Sequence, residues 1–332
     1  MTDHAGNSRS ASQNGAGLYA AAMQLSAGRP PPDDVQRAVS LLQQSLDGGH
    51  ARAGERLAAF HAMAANATGE AVDWEQAFDA LRRAADCGSS GASKQLLLLA
   101  DKSLDPLVPT QAPSGFWRDV RSRIRIERLL AFPPRRALSD SPRIRLLEGF
   151  ATAAECRWIV EAAREYLTAA AVFDHETGAL VLDRARNNSA VSLMFEQTDV
   201  VSEVLRARIA AATRVPVPAF EPAQILRYEI GQEFIPHYDF LDETSAGFRN
   251  GLGEYGQRIA TFLIYLNEEY EGGETAFPKA GLKYRGRTGD AIFWANLDVG
   301  GRPDPLTLHA GLPPTSGVKW IFSQWIREKV AA

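Results

Sequence analysis

Between residues 16 and 100 apolar side chains recur at helical spacing, as at Ala38, Leu41, Leu42 and Leu46. The pattern also returns on itself. Ala38, Leu42, Gly49, Ala53 and Leu57 reappear 39 residues later as Ala77, Leu81, Gly88, Ala92 and Leu96. A repeat of this length, with a glycine between its halves, predicts paired helices stacked as a solenoid, where small residues allow close packing. A plain helical bundle is the alternative. A Pro-containing stretch, Leu104–Gly115, follows, then a basic amphipathic segment, Trp117–Leu130, read as a connecting helix. A second Pro-rich break covers Phe132–Pro142. From Arg143 the pattern changes. Arg143–Leu147 reads as a strand, and Thr152–Leu167 as a helix with Thr152 as N-cap and Glu155 as its capping-box partner. Val200–Ala212 reads as a further helix. Strands are expected at Gln224–Glu229, Ile259–Leu266, Ala291–Ala295, Leu306–Ala310 and Val318–Ile326, all β-branched or aromatic-rich and bounded by turn residues. Helices followed by many short strands predict an α+β chain. Its C-terminal half is expected to be a double-stranded β-helix of the jelly-roll or cupin-like kind. The expected boundaries are a disordered 1–15, helical repeats at 16–103, a linker with its helix at 104–142, and the barrel domain at 143–330.

The length, 332 residues, agrees with two domains. Hydrophobic residues make up 45% and charged residues 23%, as in ordinary globular chains. The net charge of -4 gives no general affinity for nucleic acid or for an anionic membrane. The arginines of 117–130 are interrupted by Asp119 and Glu127 and read as a solvated face. Two cysteines, Cys87 and Cys156, exclude a disulfide framework and favour a reducing, cytoplasmic setting. Met1–Gly15 is polar, unlike a signal peptide, and no apolar run approaches the roughly 20 residues of a membrane span.

Of six histidines, two lie in strand-like surroundings: His237 in Phe-Ile-Pro-His-Tyr-Asp and His309 in Leu-Thr-Leu-His-Ala-Gly. In a strand, residues two apart share a face, so His237 and Asp239 are expected to point together. Two imidazoles and one carboxylate form the facial triad of non-haem iron(II) oxygenases, with positions left open for a 2-oxo acid and O2. The same ligand types also suit zinc. A strand lysine, Lys319, stands ten residues after His309 among apolar neighbours. Burial without a partner would be costly there, and a carboxylate of 2-oxoglutarate would supply one. Tyr228 is placed to donate to the same carboxylate.

These residues sit in a longer pattern. Arg227-Tyr228 leads through Gly231 to Pro236-His237-Tyr238-Asp239. Gln257-Arg258-Ile259-Ala260-Thr261 follows, with Tyr265-Leu266-Asn267, then Gly272-Gly273-Glu274-Thr275-Ala276-Phe277-Pro278 and Gly289-Asp290-Ala291-Ile292-Phe293. Last come His309-Ala310-Gly311 and Gly317-Val318-Lys319-Trp320. In this order the set resembles the catalytic domain of prolyl 4-hydroxylase-type 2-oxoglutarate oxygenases. The resemblance implies iron(II) on His237, Asp239 and His309. It also implies 2-oxoglutarate on Lys319 with Tyr228 and Thr275 beside it, O2 as co-oxidant, and ascorbate to keep the iron reduced. Arg258 resembles the substrate-side arginine of that family, and Gly272-Gly273 a turn beside the cosubstrate. Two positions depart from many peptide prolyl hydroxylases: Phe234 stands for a tyrosine and Thr307 for a tryptophan. Asp242–Gly256 is expected to be a loop over the site. Residues 16–100 resemble Sel1-like repeats, tetratricopeptide relatives, which implies recruitment of a protein or peptide substrate. The same chemistry on a small molecule, or a non-catalytic repeat scaffold, are the alternatives.

Overall fold

The computed structural model describes residues 4–27, 31–101, 109, 112–173, 177, 179–181 and 185–330. Two units emerge, Met1–Ala131 with Thr198–Arg208, and Phe132–Gln197 with Ile209–Ala332.

The first unit is helical: α1 (His4–Leu25), α2 (Pro32–Asp47), α3 (Ala51–Thr68), α4 (Ala71–Asp86), α5 (Ser90–Asp101), α6 (Phe116–Ser122) and α7 (Ile126–Leu130). Each of α1 to α5 packs on its successor. The 39-residue repeat is physical. Ala38, Leu42, Ala53 and Leu57 are buried, as are Ala77, Leu81, Ala92 and Leu96. Gly49 and Gly88 both turn the chain at positive φ, +84° and +88°. Around them Ser45 O accepts from His50 N at 3.0 Å and Ala84 O from Ser89 N at 2.9 Å, so both helix ends are closed alike. Between α3 and α4 a Cβ on Gly54 would stand 2.7 Å from that of Ala84, which is why a residue without one lies there.

Three expectations change here. α1 begins at His4, inside the stretch expected to be disordered. It is held at Gly15, whose carbonyl accepts from the Ser45 hydroxyl at 2.6 Å. The connecting helix is two helices, because Arg125 is extended (φ -132°) and stops the first before the second begins. Thr198–Arg208, expected in the barrel domain, belongs to the helical unit. Gln95 Oε1 accepts from Val200 N at 3.1 Å, Asn66 Nδ2 donates to Glu203 Oε2 at 2.6 Å, and Arg208 Nε donates to Leu129 O at 2.6 Å. In Leu104–Gly115, residues 104–108, 110 and 111 lie outside the described ones.

The second unit carries helices α8 (Ala153–Ala163), α9 (Val200–Thr213, from residue 209 on) and α10 (Arg249–Tyr255). Its strands are β1 (Arg136–Asp140), β2 (Arg143–Leu147), β3 (Thr168–Ala169), β4 (Val172–Phe173), β5 (Leu180–Val181), β6 (Ser189–Ser192), β7 (Gln224–Tyr228), β8 (Phe234–His237), β9 (Arg258–Tyr265), β10 (Tyr270–Gly272), β11 (Thr275–Phe277), β12 (Leu282–Tyr284), β13 (Ala291–Ala295), β14 (His309–Gly311), β15 (Pro314–Gly317) and β16 (Lys319–Arg327). An eight-stranded antiparallel sheet runs β1-β2-β13-β9-β16-β7-β6-β3, and a four-stranded one β12-β11-β14-β8. One core joins them: Ile144, Leu226, Leu263, Ile292, Trp294 and Ile321 from the larger sheet pack with Phe277, Phe234 and Leu282 from the smaller. Two facing antiparallel sheets whose neighbours are not sequential make the double-stranded β-helix.

The Thr152–Glu155 capping box forms as expected, with the Thr152 side chain accepting from Glu155 N. The helix it starts ends at Ala163, and a 3₁₀ turn, Arg164–Tyr166, completes the expected length. The Pro-rich break holds β1, paired with β2. Leu306–Ala310 is only partly strand. Pro305 and the Asp304 side chain, which accepts from Leu306 N, close a 3₁₀ turn at Pro305–Thr307, and the strand starts at His309. Asp242–Gly256 contains α10, tied down by Arg327 Nη2 donating to Gly251 O at 2.8 Å. Among the described residues no helix is long and apolar enough to cross a membrane.

Candidate active site

The smaller sheet brings the two expected histidines together. His309 on β14 stands opposite His237 on β8 in the antiparallel register. β8 stops at His237, so strand alternation does not place Asp239. It lies in the bend beyond, held by Thr261 Oγ1, which donates to Oδ2 at 2.6 Å. His237 Nε2 is 3.7 Å from Asp239 Oδ1, and His309 Nε2 is 3.4 Å from Oδ2. These three form a group of metal-capable side chains, with donor atoms all within 4.8 Å of one another.

The tautomers follow from the backbone. His237 Nδ1 lies 2.8 Å from Ile235 O and His309 Nδ1 3.0 Å from Thr307 O. A carbonyl only accepts, so each Nδ1 carries the hydrogen and each Nε2 presents a lone pair inward. Burial first, then His309, pulls the His237 pKa down to about 3, against Asp239 and the Ile235 carbonyl, so the ring is neutral at physiological pH. Burial alone would raise the Asp239 pKa, but His309, His237 and Arg258 outweigh it and hold the carboxyl below its usual value. Two imidazoles with Nε2 turned inward and one carboxylate at this spacing fit a divalent metal such as iron(II).

The cavity beside the triad has a volume of about 40 Å³, and Tyr228, Thr275 and Lys319 also line it. Lys319 opens β16 directly opposite Tyr228 on β7. It is 2% exposed, its ammonium stands 5.1 Å from the Tyr228 ring centroid, and no carboxylate among the described residues reaches ion-pairing distance. Burial brings its pKa down to about 7, with Glu274 opposing. Thr275 on β11 is buried, and its hydroxyl accepts from Tyr265 Oη at 2.9 Å, which leaves its own hydrogen to donate elsewhere.

Arg258 is placed differently from the expectation. It does not line the cavity. Nε and Nη2 donate to the two Glu221 carboxylate oxygens at 2.6 and 2.9 Å, and the guanidinium lies 3.8 Å from the Trp325 ring centroid. Such a buried fork is a structural clamp, since breaking it strands a charge. Arg258→Ala therefore lowers the unfolding free energy by about 3 kcal/mol. Urea unfolding checks it; unchanged stability with lost turnover would return Arg258 to the substrate side.

The arginine that does face the cavity is Arg186, which the sequence reading missed. It is 4% exposed and donates to Asn188, Ala171 and Gln224. No periodicity marks it, because it stands outside any strand, in an isolated bridge to Phe234. Thr261, Trp294 and Ser323 were also missed as lining residues. They read in sequence as ordinary strand interior.

A jelly-roll with two histidines and a carboxylate at a buried, lysine-bearing cavity defines the class of metal-dependent oxygenases that use a 2-oxo acid. The model of the 2OG-Fe(II) oxygenase superfamily matches residues 223–327. Probable prolyl 4-hydroxylase 10 of Arabidopsis thaliana is 35% identical over 210 residues, covering 57% of this chain and 70% of that protein. Prolyl 4-hydroxylase 1 of the same plant is 34% identical over 209 residues, covering 59% and 72%. A solved structure of the viral collagen prolyl hydroxylase of Paramecium Bursaria Chlorella virus-1, in its 2OG complex, aligns at 28% identity over 57% of this chain and 99% of its own, with a TM-score of 0.44. The chain belongs to the prolyl 4-hydroxylase family of 2-oxoglutarate–Fe(II) oxygenases and is a 2-oxoglutarate-dependent dioxygenase that works with Fe2+ and O2.

Proposed function

We propose that the barrel unit hydroxylates prolyl residues of a protein or peptide, with iron(II) held by His237, Asp239 and His309. In this reading Lys319 anchors the distal carboxylate of 2-oxoglutarate, and Tyr228 and Thr275 donate hydroxyl hydrogen bonds beside it. One observation carries the reading: an unpaired buried lysine and a converged His-Asp-His set share one cavity. Bound iron with 2-oxoglutarate and O2 supplies the oxidation, converting the oxo acid to succinate and CO2 and a C–H bond to C–OH.

The protein's part is geometric and electrostatic. The backbone carbonyls of Ile235 and Thr307 hold the histidines in the right tautomer. Lys319 and Tyr228, adjacent across β16 and β7, give an anion one orientation, and the apolar wall of Leu226, Leu263 and Ile321 keeps water from competing. Support for a prolyl substrate comes from the relatives, which are named prolyl 4-hydroxylases. We assign the helical unit, read as Sel1-like repeats, to recruitment of the substrate protein, and ascorbate to reduction of the iron. Cys87 and Cys156 are both free thiols, which fits a cytoplasmic setting.

The test supplies the full chain with iron(II), 2-oxoglutarate and air, and compares proline-containing peptides with free amino acids. Succinate rises with a peptide, and mass spectrometry finds one added oxygen on proline. A rise with free amino acids alone would favour a small-molecule substrate and remove the peptide reading.

A further inference from the structure

Asp239 is held by a hydrogen-bonded chain two residues deep. Thr261 Oγ1 lies 2.6 Å from Asp239 Oδ2, and Asn296 Nδ2 lies 3.1 Å from Thr261 Oγ1. All three are buried: Asp239 is 3% exposed, Thr261 1% and Asn296 0%. The direction of every proton follows from chemistry alone. A carboxylate only accepts, so Thr261 must donate to Asp239. Its remaining capacity toward Asn296 is as an acceptor, so the amide must present its NH2 group there. That orientation leaves Asn296 Oδ1 buried without a partner.

The two residues stand on rigid supports. Thr261 is in β9, paired on one side with Trp294 of β13 and on the other with Trp325 of β16. Asn296 extends β13 by one residue: its N–H donates to Ile259 O at 2.9 Å, and its carbonyl accepts from Asp304 N at 2.9 Å. Asp304 opens the turn that delivers His309. The pair therefore links the carboxylate of the triad to the segment carrying the second histidine.

We propose that Thr261 and Asn296 are positioning residues that set the metal affinity of the site by fixing the Asp239 carboxylate. The proposal rests on the reading that His237, Asp239 and His309 hold the metal. A carboxylate that must otherwise be ordered on binding arrives ordered, and outer hydrogen bonds of this kind are typically worth 10–100-fold in metal affinity.

The experiment titrates the full-length chain, without oxygen, with iron(II) and separately with cobalt(II), reading the dissociation constant and the cobalt absorption spectrum. Thr261→Val keeps the shape and loses the donor. It weakens binding about 10–100-fold and alters the cobalt spectrum. Thr261→Ser restores both. Asn296→Leu, which removes the amide from the end of the relay, shifts affinity in the same direction and serves if the valine variant fails to fold. Parental affinity and spectrum in a folded Thr261→Val or Asn296→Leu, with binding lost in His309→Ala, would overturn the relay and leave the triad standing. A parent that binds neither metal would overturn both.

Discussion

Replacing His309 by alanine removes iron-dependent succinate formation, a loss expected to exceed about 100-fold, since even outer partners of a metal site are worth 10–100-fold. The reason is the small donor set. Among the described residues only His237, Asp239 and His309 bring metal-capable atoms within 4.8 Å of one another, and each offers one. Two donors cannot hold the metal in a defined place, so both affinity and orientation go. The rings packed against His309 offer no metal-binding atom to substitute. His309 packs against Trp294 with ring centroids 4.7 Å apart and Phe277 at 5.9 Å, and both are apolar walls. Iron binding, succinate release and a thermal melt are measured together on the variant. A folded His309→Ala that still binds iron and forms succinate at the parental rate would remove the triad from the mechanism.

Lys319→Ala raises the KM for 2-oxoglutarate at least about 30-fold at neutral pH, because truncating one partner of a buried charge pair costs roughly 2–5 kcal/mol. Its effect is largest at low pH. Burial holds the free Lys319 near pKa 7. A dianionic ligand binds the protonated amine and not the neutral one. Below about pH 7 the lysine is charged and the parental KM is flat. Above it, each pH unit costs the ligand the work of reprotonating the amine, about 1.4 kcal/mol or tenfold in KM, up to the higher pKa of the bound state. The alanine variant has nothing to titrate there, so its KM is high and flat, and the two curves approach each other as pH rises. Initial rates of succinate formation at saturating iron between pH 6 and roughly 9 would show it. A parental KM that falls on going alkaline, or a Lys319→Ala profile with the same slope, would dismiss Lys319 as the anchor.

The helical unit was legible because each helix packs on its neighbour in the chain and writes those contacts locally. Ala38 and Ala77 bury the same face, and Gly49 and Gly88 make the same turn. Likewise the capping box of Thr152 is complete within four residues. That His237, Asp239, His309 and Lys319 would share one cavity was legible for another reason: few residue types offer such donors, and their neighbours form an ordered series. Partial misses came where one side chain decides an element. Asp304 and Pro305 turn the stretch before His309 into a 3₁₀ turn, although its composition favours strand.

What the chain order by itself determined is thus the kind of unit each half makes and the candidate donor set, since periodicity and donor chemistry are local properties of residues. Only the tertiary structure decided which long-range partners each charge finds. Glu221, 37 positions before Arg258, takes that guanidinium out of the cavity. Arg186, far from every site motif, enters it. Thr198–Arg208 joins the helices through Gln95 and Asn66 rather than the barrel. Thr261 and Asn296, 35 positions apart, meet behind Asp239. Each of these depends on how strands distant in sequence pair, and a buried polar group takes whichever partner that pairing brings within hydrogen-bond reach.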